Sequence, residues 1–395
     1  MAGTISRGIK APIIREGDNI AEIVVNSVLK AMEEDNFQLH ERDIIAVTES
    51  VVARADGNYC TVDDIAKDIR FKFGDNATIG VLFPILSRNR FAICLKGIAR
   101  GAKKVVVQLS YPADEVGNHL VDEDLFEKMV PNPTVNLLHE DTFEQLFGKP
   151  VHPFTGINYV DYYKEIIEAE GAEAEIIFSN RPTDIIWYAP DVICCSIHNR
   201  DGVVAKLKAG GAHRALTLCD IMNNSHSING GCNEQYGLLG SNKASEEKLK
   251  LFPRNAQEVV NEIQALFWIN TGIKIEAMVY GDGAFKDPVG KIWELADPVV
   301  SPAYTKGLEG LPNEVKIKYL ADNDFKDLNG EKLNEAIRAS IREKDKALKG
   351  KMVSEGTTPR RLTDLIGSLC DLTSGSGDKG TPIVVIQNYF NNYAD

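Results

Sequence analysis

The stretch from Pro359 to Tyr389 constrains the fold most, because it reads as three elements in succession: a helix, a glycine-rich loop and a strand. Leu362, Leu365, Ile366, Leu369 and Leu372 recur at helical spacing, whereas the β-branched run Ile383–Ile386 is too short for anything but a buried strand. Between them lies Ser374-Gly-Ser-Gly-Asp-Lys-Gly-Thr381. Its glycines let backbone N–H groups approach a ligand closely and Lys379 adds a mobile positive charge, so a phosphate-bearing ligand suits the loop. A helix C-cap followed by an ordinary surface loop suits the same spacing.

Two phosphate signatures fail here. Gly375-x-Gly377-x-x-Gly380 has the dinucleotide spelling, but that fingerprint follows a strand and opens a helix, and this loop does the reverse. A Walker A loop needs Gly-Lys-Ser/Thr in sequence, whereas Lys379 precedes Gly380.

At 395 residues the chain has room for two or three domains and a substantial core. Its net charge of -13 opposes a nucleic-acid backbone or an anionic membrane as partner, since both repel it. The first ten residues lack the apolar core of a signal peptide, and no run is long enough to span a bilayer, so the expectation is a soluble cytoplasmic protein. The seven cysteines (60, 94, 194, 195, 219, 232 and 370) show no Cys-x-x-Cys spacing and read as reduced core thiols. Cys232, in Asn229-Gly-Gly-Cys-Asn-Glu234, alone sits in loop-like context and is a weak candidate nucleophile.

Along the chain, Ile13–Asp18 is a short segment whose Asp18 caps an amphipathic helix with Ile20, Ile23, Val24, Val28 and Leu29 inward. Asp43–Thr48 is a strand leading into Glu49–Asn58, where α/β proteins commonly place ligand contacts, and Asp56-Gly57-Asn58 is a turn. Thr61 starts a helix, Asn89–Lys96 is helical or extended, and Lys103–Leu109 is a strand. Residues Pro131–Pro153 read as connecting structure. Helix Tyr159–Glu170, strands Ala174–Phe178 and Asp191–Cys195, helix Val203–Ala209 and strand Ala215–Cys219 then alternate, which predicts an inserted subdomain of parallel-sheet type. Polar loops at 220–245 precede helix Ala256–Asn270 and strand Ile273–Tyr280, which ends in Gly281-Asp282-Gly283, either a metal-binding carboxylate or a plain turn. Asn329–Lys351 reads as a charged, solvated helix. His198, His213 and His226 have no partner at ligand spacing and read as structural, and 322–330 fails as a calcium loop.

Two segments together resemble the coenzyme F-420:L-glutamate ligases, a family of γ-glutamyl ligases. Ile13–Asp18 followed by Arg42–Asn58 looks like the family's N-terminal edge, helix, strand and Ser-Lys-Ala-Glu-Gly-Arg turn. Asp364–Ile386 is similar to its C-terminal helix, glycine loop and strand, and Thr271-Gly-Ile-Lys-Ile with Gly281-Asp282 resembles its strand ending in a metal-binding Asp. The likeness covers residues 10 to 60 and 235 to 395. It implies an α/β (α+β) fold with γ-glutamyl ligase-like mixed sheets in 1–100 and 235–395 and an inserted α/β subdomain in 101–234.

The resemblance further implies a GTP-dependent amide ligase that uses Mg or Mn, forms a homodimer, and acts on a small-molecule acceptor with L-glutamate as a second substrate. A substrate carboxylate would attack the γ-phosphate, and the amine of glutamate would capture the acyl phosphate. Carried onto this chain, the nucleotide would be held by Ile13, Ile14, Arg54 in the family's Lys position, Ser245, and the loop Ser374, Gly375, Ser376, Gly377, Asp378, Lys379, Gly380 and Thr381. Asp282 and Asn242 would hold the metal. The sequence departs from the family at two points: its metal-binding Asp falls on Leu239, with Asn242 left to stand in, and its glycine-loop glutamate falls on Ser376. Fewer carboxylates leave less charge to hold a divalent ion, with Asp378, Asp220 and Glu234 as substitutes. Two other readings stand beside the ligase: a nucleotide- or metabolite-binding protein on the same fold without catalysis, and a different enzyme using the polar loops at 220–245 on a phosphorylated substrate.

Overall fold

Ile44, Ile45, Ala46 and Val47 have no exposed surface at all, so this short run is buried on both faces. It lies inside a five-stranded mixed sheet ordered Ile5–Ile9, Ile383–Gln387, Ile44–Thr48, Glu276–Tyr280, Ala303–Tyr304. Ile44–Thr48 runs parallel to Glu276–Tyr280 and antiparallel to Ile383–Gln387. The alternation of a strand divides its apolar residues between two cores. Ile45, Val47, Ala277, Val279 and Val385 face the helices Ile20–Glu34 and Ala256–Thr271. Ile44, Ala46, Met278, Val384 and Ile386 face Ile366 and Cys370 of the helix Leu362–Ser374. The structure, a computed structural model, describes residues 3–129, 137–149, 151–152, 155–224, 230–281, 285–286, 293–294, 299–348, 350–354, 360–375 and 377–395.

A second sheet takes its strands from Thr78 to Thr217, in the order Leu138–His139, Glu173–Phe178, Lys104–Leu109, Thr78–Leu82, Asp191–Cys194, Arg214–Thr217. All are parallel except the short Leu138–His139 edge. The parallel sheet expected from the alternating elements is therefore present, and its first strand, Thr78–Leu82, falls before residue 101. Numbered along the chain, the parallel strands lie 3-2-1-4-5, a doubly wound order whose reversal falls between Thr78–Leu82 and Asp191–Cys194. The loop Leu238–Ser241 folds over that point and leaves about 20 Å³ beside Cys195 and Leu218. A small antiparallel sheet, Asn242–Ser245, Lys248–Lys250 and Tyr59–Thr61, bridges the two large ones in sequence.

Several expectations need correction. Asn19, not Asp18, caps the first helix, accepting the Glu22 N–H at 3.2 Å, while Asp18 accepts the Arg15 N–H at 2.6 Å. Glu49–Ala55 is a helix before the turn at Gly57. The connecting region contains the helix Glu140–Phe147, whose Phe143 stacks on Phe178 at 3.8 Å. The charged helix is shorter, Gly330–Arg342, and not wholly solvated: Ile337 and Ile341 pack with Leu320 and Ala394. Asn89–Lys96 resolves to the start of the helix Ala92–Gly101. Among the described residues no helix is long and apolar enough to cross a membrane.

Candidate functional site

Three segments meet at the carboxyl ends of Ile44–Thr48 and Glu276–Tyr280. The Ala11 N–H donates to the Gly380 carbonyl at 3.1 Å, and the Thr48 N–H to the Pro382 carbonyl at 3.0 Å. Arg54 donates its Nε to the Ile14 carbonyl at 2.6 Å, and the Tyr280 hydroxyl reaches the Pro382 carbonyl at 3.4 Å. These bonds frame a cleft of about 440 Å³. Its wall carries Ile13, Ile14, Arg54, Ser374, Gly375, Gly377, Gly380 and Thr381 from the sequence-derived set, together with Thr48, Ser50, Tyr280 and Asp371. Residues more than 350 apart in sequence thus share one wall.

The glycine loop is shaped by its own chemistry. Gly375 closes the Leu362–Ser374 helix at φ 64°, ψ -148°, a conformation open to glycine and costly for other residues. A Cβ there would stand 2.5 Å from Lys379 Nζ, because Lys379 folds back over it. The Thr381 hydroxyl donates to the Ser374 carbonyl at 2.9 Å, and the Ser374 hydroxyl donates to the Asp371 carbonyl at 2.9 Å. Both protons brace the loop, so these two hydroxyls offer lone pairs to the cleft.

The remaining candidates are not among the described residues of this wall. Among the described residues the wall includes neither Asp378, Lys379, Asn242 nor Ser245. Asn242 and Ser245 belong to the hairpin, and Ser245 is exposed there. Asp282 and Ser376 lie outside the described residues, as does His226; the chain is described to Gly281, one residue beyond the cleft's Tyr280. Leu239 is 2% exposed, in the core of the parallel sheet with Leu218 and Leu238. His213 holds Asp191 at 2.8 Å. Asp220 caps its own turn by accepting the Thr217 N–H at 2.7 Å.

The cysteines divide by burial: Cys60, Cys94, Cys194, Cys195 and Cys370 are buried, Cys219 and Cys232 partly so. Burial pushes the Cys94 thiol up to about 11 and the Cys194 thiol up to about 12, so both are protonated at neutral pH. Cys232 is not on the cleft wall, and its carbonyl accepts the Asn58 amide at 3.1 Å.

Hard oxygen donors suit Mg or Mn, and the cleft wall carries the hydroxyl residues Thr48, Ser374 and Thr381 with Asp371. One described carboxylate is a sparse set, and the fit is that of an ion held mainly by a ligand's phosphates and water. A richer acidic group, Glu140, Glu144 and Asp161, lies with the parallel sheet. Lys149 and Lys164 already neutralise it, at 3.1 Å from Glu144 and 3.0 Å from Glu140.

Sequence reading passed over Thr48, Ser50, Tyr280 and Asp371. The first two stand where a strand gives way to a polar segment, a signal of position without a residue type; nothing marked Tyr280 or Asp371.

A family model described as F420-0:gamma-glutamyl ligase matches residues 8–388. No curated protein is similar to the chain. The tetrameric eIF2B-beta2-delta2 complex from C. thermophilum is similar at 12% identity over 40% of this chain and 42% of that one, with a TM-score of 0.23. The biosynthetic arginine decarboxylase SpeA from Campylobacter jejuni is similar at 9% identity over 92% of this chain and 67% of that one, with a TM-score of 0.14. The chain spans about two fifths of the length of the first, and neither likeness bears on the fold or the site.

Proposed function

This chain belongs to the F420-0:gamma-glutamyl ligase family, and from that premise we propose that it forms an amide or γ-glutamyl bond at the expense of a nucleoside triphosphate, GTP foremost, bound in the cleft between Arg54 and the glycine loop. The observation that carries this reading is the convergence of Ile13, Ile14, Arg54, Ser374, Gly375, Gly377, Gly380 and Thr381 on one wall. Arg54 is anchored through Nε, which leaves its fork oriented for phosphate oxygens. In the proposed reaction a carboxylate oxygen of the acceptor bonds to the γ-phosphorus as the bond to the nucleoside diphosphate breaks. The amine of L-glutamate then bonds to the acyl carbon, inorganic phosphate leaves, and the amine proton passes to water. A divalent cation bound with the nucleotide would neutralise charge developing on the phosphates, with Asp371 the described carboxylate able to help hold it. The small-molecule acceptor named in the family description, F420-0, is the first to try. A homodimer, with Mg or Mn as the cation, belongs to the same proposal.

The test is titration of GTP and ATP, each with Mg and with Mn, into the wild type and Arg54→Ala, followed by phosphate release with and without glutamate and acceptor. Binding weakened by Arg54→Ala, with release that needs both substrates, supports the ligase. Leu239 in the core, where the family carries a metal-binding Asp, favours a second reading, a nucleotide-binding protein without turnover. Tight binding with no release under any combination selects it. Absence of binding by either nucleotide defeats both.

A further inference from the structure

Lys250, the last residue of the Lys248–Lys250 strand, is 8% exposed, a burial that lysine reaches when its charge is paired. Its ammonium lies 2.5 Å from the Ser50 hydroxyl and 3.4 Å from the Ser50 carbonyl. A Glu49 carboxylate oxygen is 3.9 Å away, and Glu49 is itself 3% exposed. Ser50 is part of the cleft wall, so Lys250 stands immediately behind that wall. The placement is held from several sides. Lys250 pairs across the small sheet with Tyr59 and Asn242. The next residue, Leu251, donates its N–H to the Asn58 carbonyl at 2.8 Å, and the Asn58 amide binds the Phe252 carbonyl at 3.0 Å.

An ammonium group has three donors and no acceptor, whereas a hydroxyl has one donor and two lone pairs. The contact therefore has one polarity: Lys250 donates and Ser50 Oγ accepts. The Ser50 proton must point away from Lys250 and is available to a ligand. Ser374 and Thr381 are in the opposite condition, their protons spent on the Asp371 and Ser374 carbonyls.

We propose that Lys250 is a positioning residue for the phosphate chain of the bound nucleotide. It fixes Ser50 as a hydrogen-bond donor into the cleft and places a positive charge behind the wall that also carries Arg54. The cleft is thereby matched to a ligand rich in anionic oxygen, with Glu49 balancing the buried cation when no such ligand is present. This inference rests on the nucleotide reading above.

The test is calorimetric titration of GTP, and separately of guanosine, into the wild type, Arg54→Ala, Lys250→Met, Lys250→Arg, Ser50→Ala and the Lys250→Met/Ser50→Ala double variant. Lys250→Met weakens GTP by about tenfold or more, as loss of a charge-assisted contact does. Lys250→Arg recovers most of the loss, guanosine is bound equally by all, and the double variant is no weaker than Lys250→Met, because the two residues act as one unit. Losses that add in the double variant, or that appear equally with guanosine, overturn the proposal. So does a wild type whose GTP affinity falls with Arg54→Ala but not with Lys250→Met or Ser50→Ala, and in that case the nucleotide reading survives. A wild type that binds no triphosphate removes the reading and the inference together. Should Lys250→Met fail to fold by circular dichroism, Ser50→Ala, which removes one hydroxyl, decides by the same criterion.

Discussion

The Asp43 carboxylate accepts the backbone N–H of Asn388 at 3.1 Å, joining the two ends of neighbouring strands that lie 345 residues apart in the chain. It also accepts the Gln387 amide at 3.0 Å and the His40 N–H at 2.9 Å, and is 2% exposed. Asp43→Ala leaves these donors without their acceptor. The expected cost is about 2–4 kcal/mol of unfolding free energy, read from urea denaturation. A loss below about 0.5 kcal/mol would show that water replaces the carboxylate fully.

Gly375 and Gly377 are near neighbours with opposite tolerance. Gly375 holds φ 64° with Lys379 folded against it, whereas a Cβ on Gly377 meets nothing within 4 Å. Gly375→Ala should lower stability by about 1–3 kcal/mol and weaken GTP binding, and Gly377→Ala should leave the melting temperature nearly unchanged. Equal melting temperatures for the two variants would contradict the loop conformation described.

Leu239 provides a test of the motif register itself. The resemblance sets a metal-binding carboxylate of the family there, but the side chain is packed with Leu218 and Leu238. Leu239→Asp should cost about 3 kcal/mol or more, with no gain in Mn affinity by calorimetry. A stable variant with tighter Mn binding would mean that position 239 reaches the cleft.

Glu247, at the hairpin tip, is held first by the Arg100 guanidinium at 2.8 Å and then by the Lys96 ammonium at 2.5 Å. These hold its carboxyl at about 2, below the ordinary 4.5. Because the folded value is depressed, its contribution is complete above pH 4.5 and is lost as the pH falls through about 2. More than half of the side chain is in water, so Glu247→Gln should cost less than about 1 kcal/mol at neutral pH. The gap between variant and wild type should narrow steadily below pH 4.5 in urea titrations. A constant gap would assign the effect to packing.

What the sequence revealed follows from where the physical signal is local. Strong apolar periodicity located the Leu362–Ser374 helix and the Ile383–Gln387 strand within a residue or two, and alternation of helix and strand disclosed the parallel sheet. Ile5–Ile9 went unread because an edge strand of mixed Ile, Ser, Arg and Gly has no pattern until Ile383–Gln387 supplies its partner. Thr78–Leu82 is interrupted by Gly80, and Glu49–Ala55 is too short to show a period. In the cleft, glycine-loop residues were visible by composition, and Arg54 by resemblance. Lys250 was invisible: its neighbour Ser50 is 200 residues distant, and only the hairpin's pairing with Tyr59–Thr61 brings them together. Leu239 shows the converse, since motif register alone does not say which way a loop side chain turns.

The last strand of the mixed sheet to leave the ribosome is one of its inner strands. Ile383–Gln387 lies between Ile5–Ile9 and Ile44–Thr48, so those two early strands wait for it through most of synthesis. The strands between Thr78 and Thr217 are complete much sooner and can close while translation continues. A nascent chain therefore carries one finished sheet inside an unfinished one for roughly 10–30 seconds at ordinary elongation rates. During that interval the free edge of Ile44–Thr48 is open to strands of other nascent copies, and Ile383–Gln387 ends the exposure by filling it.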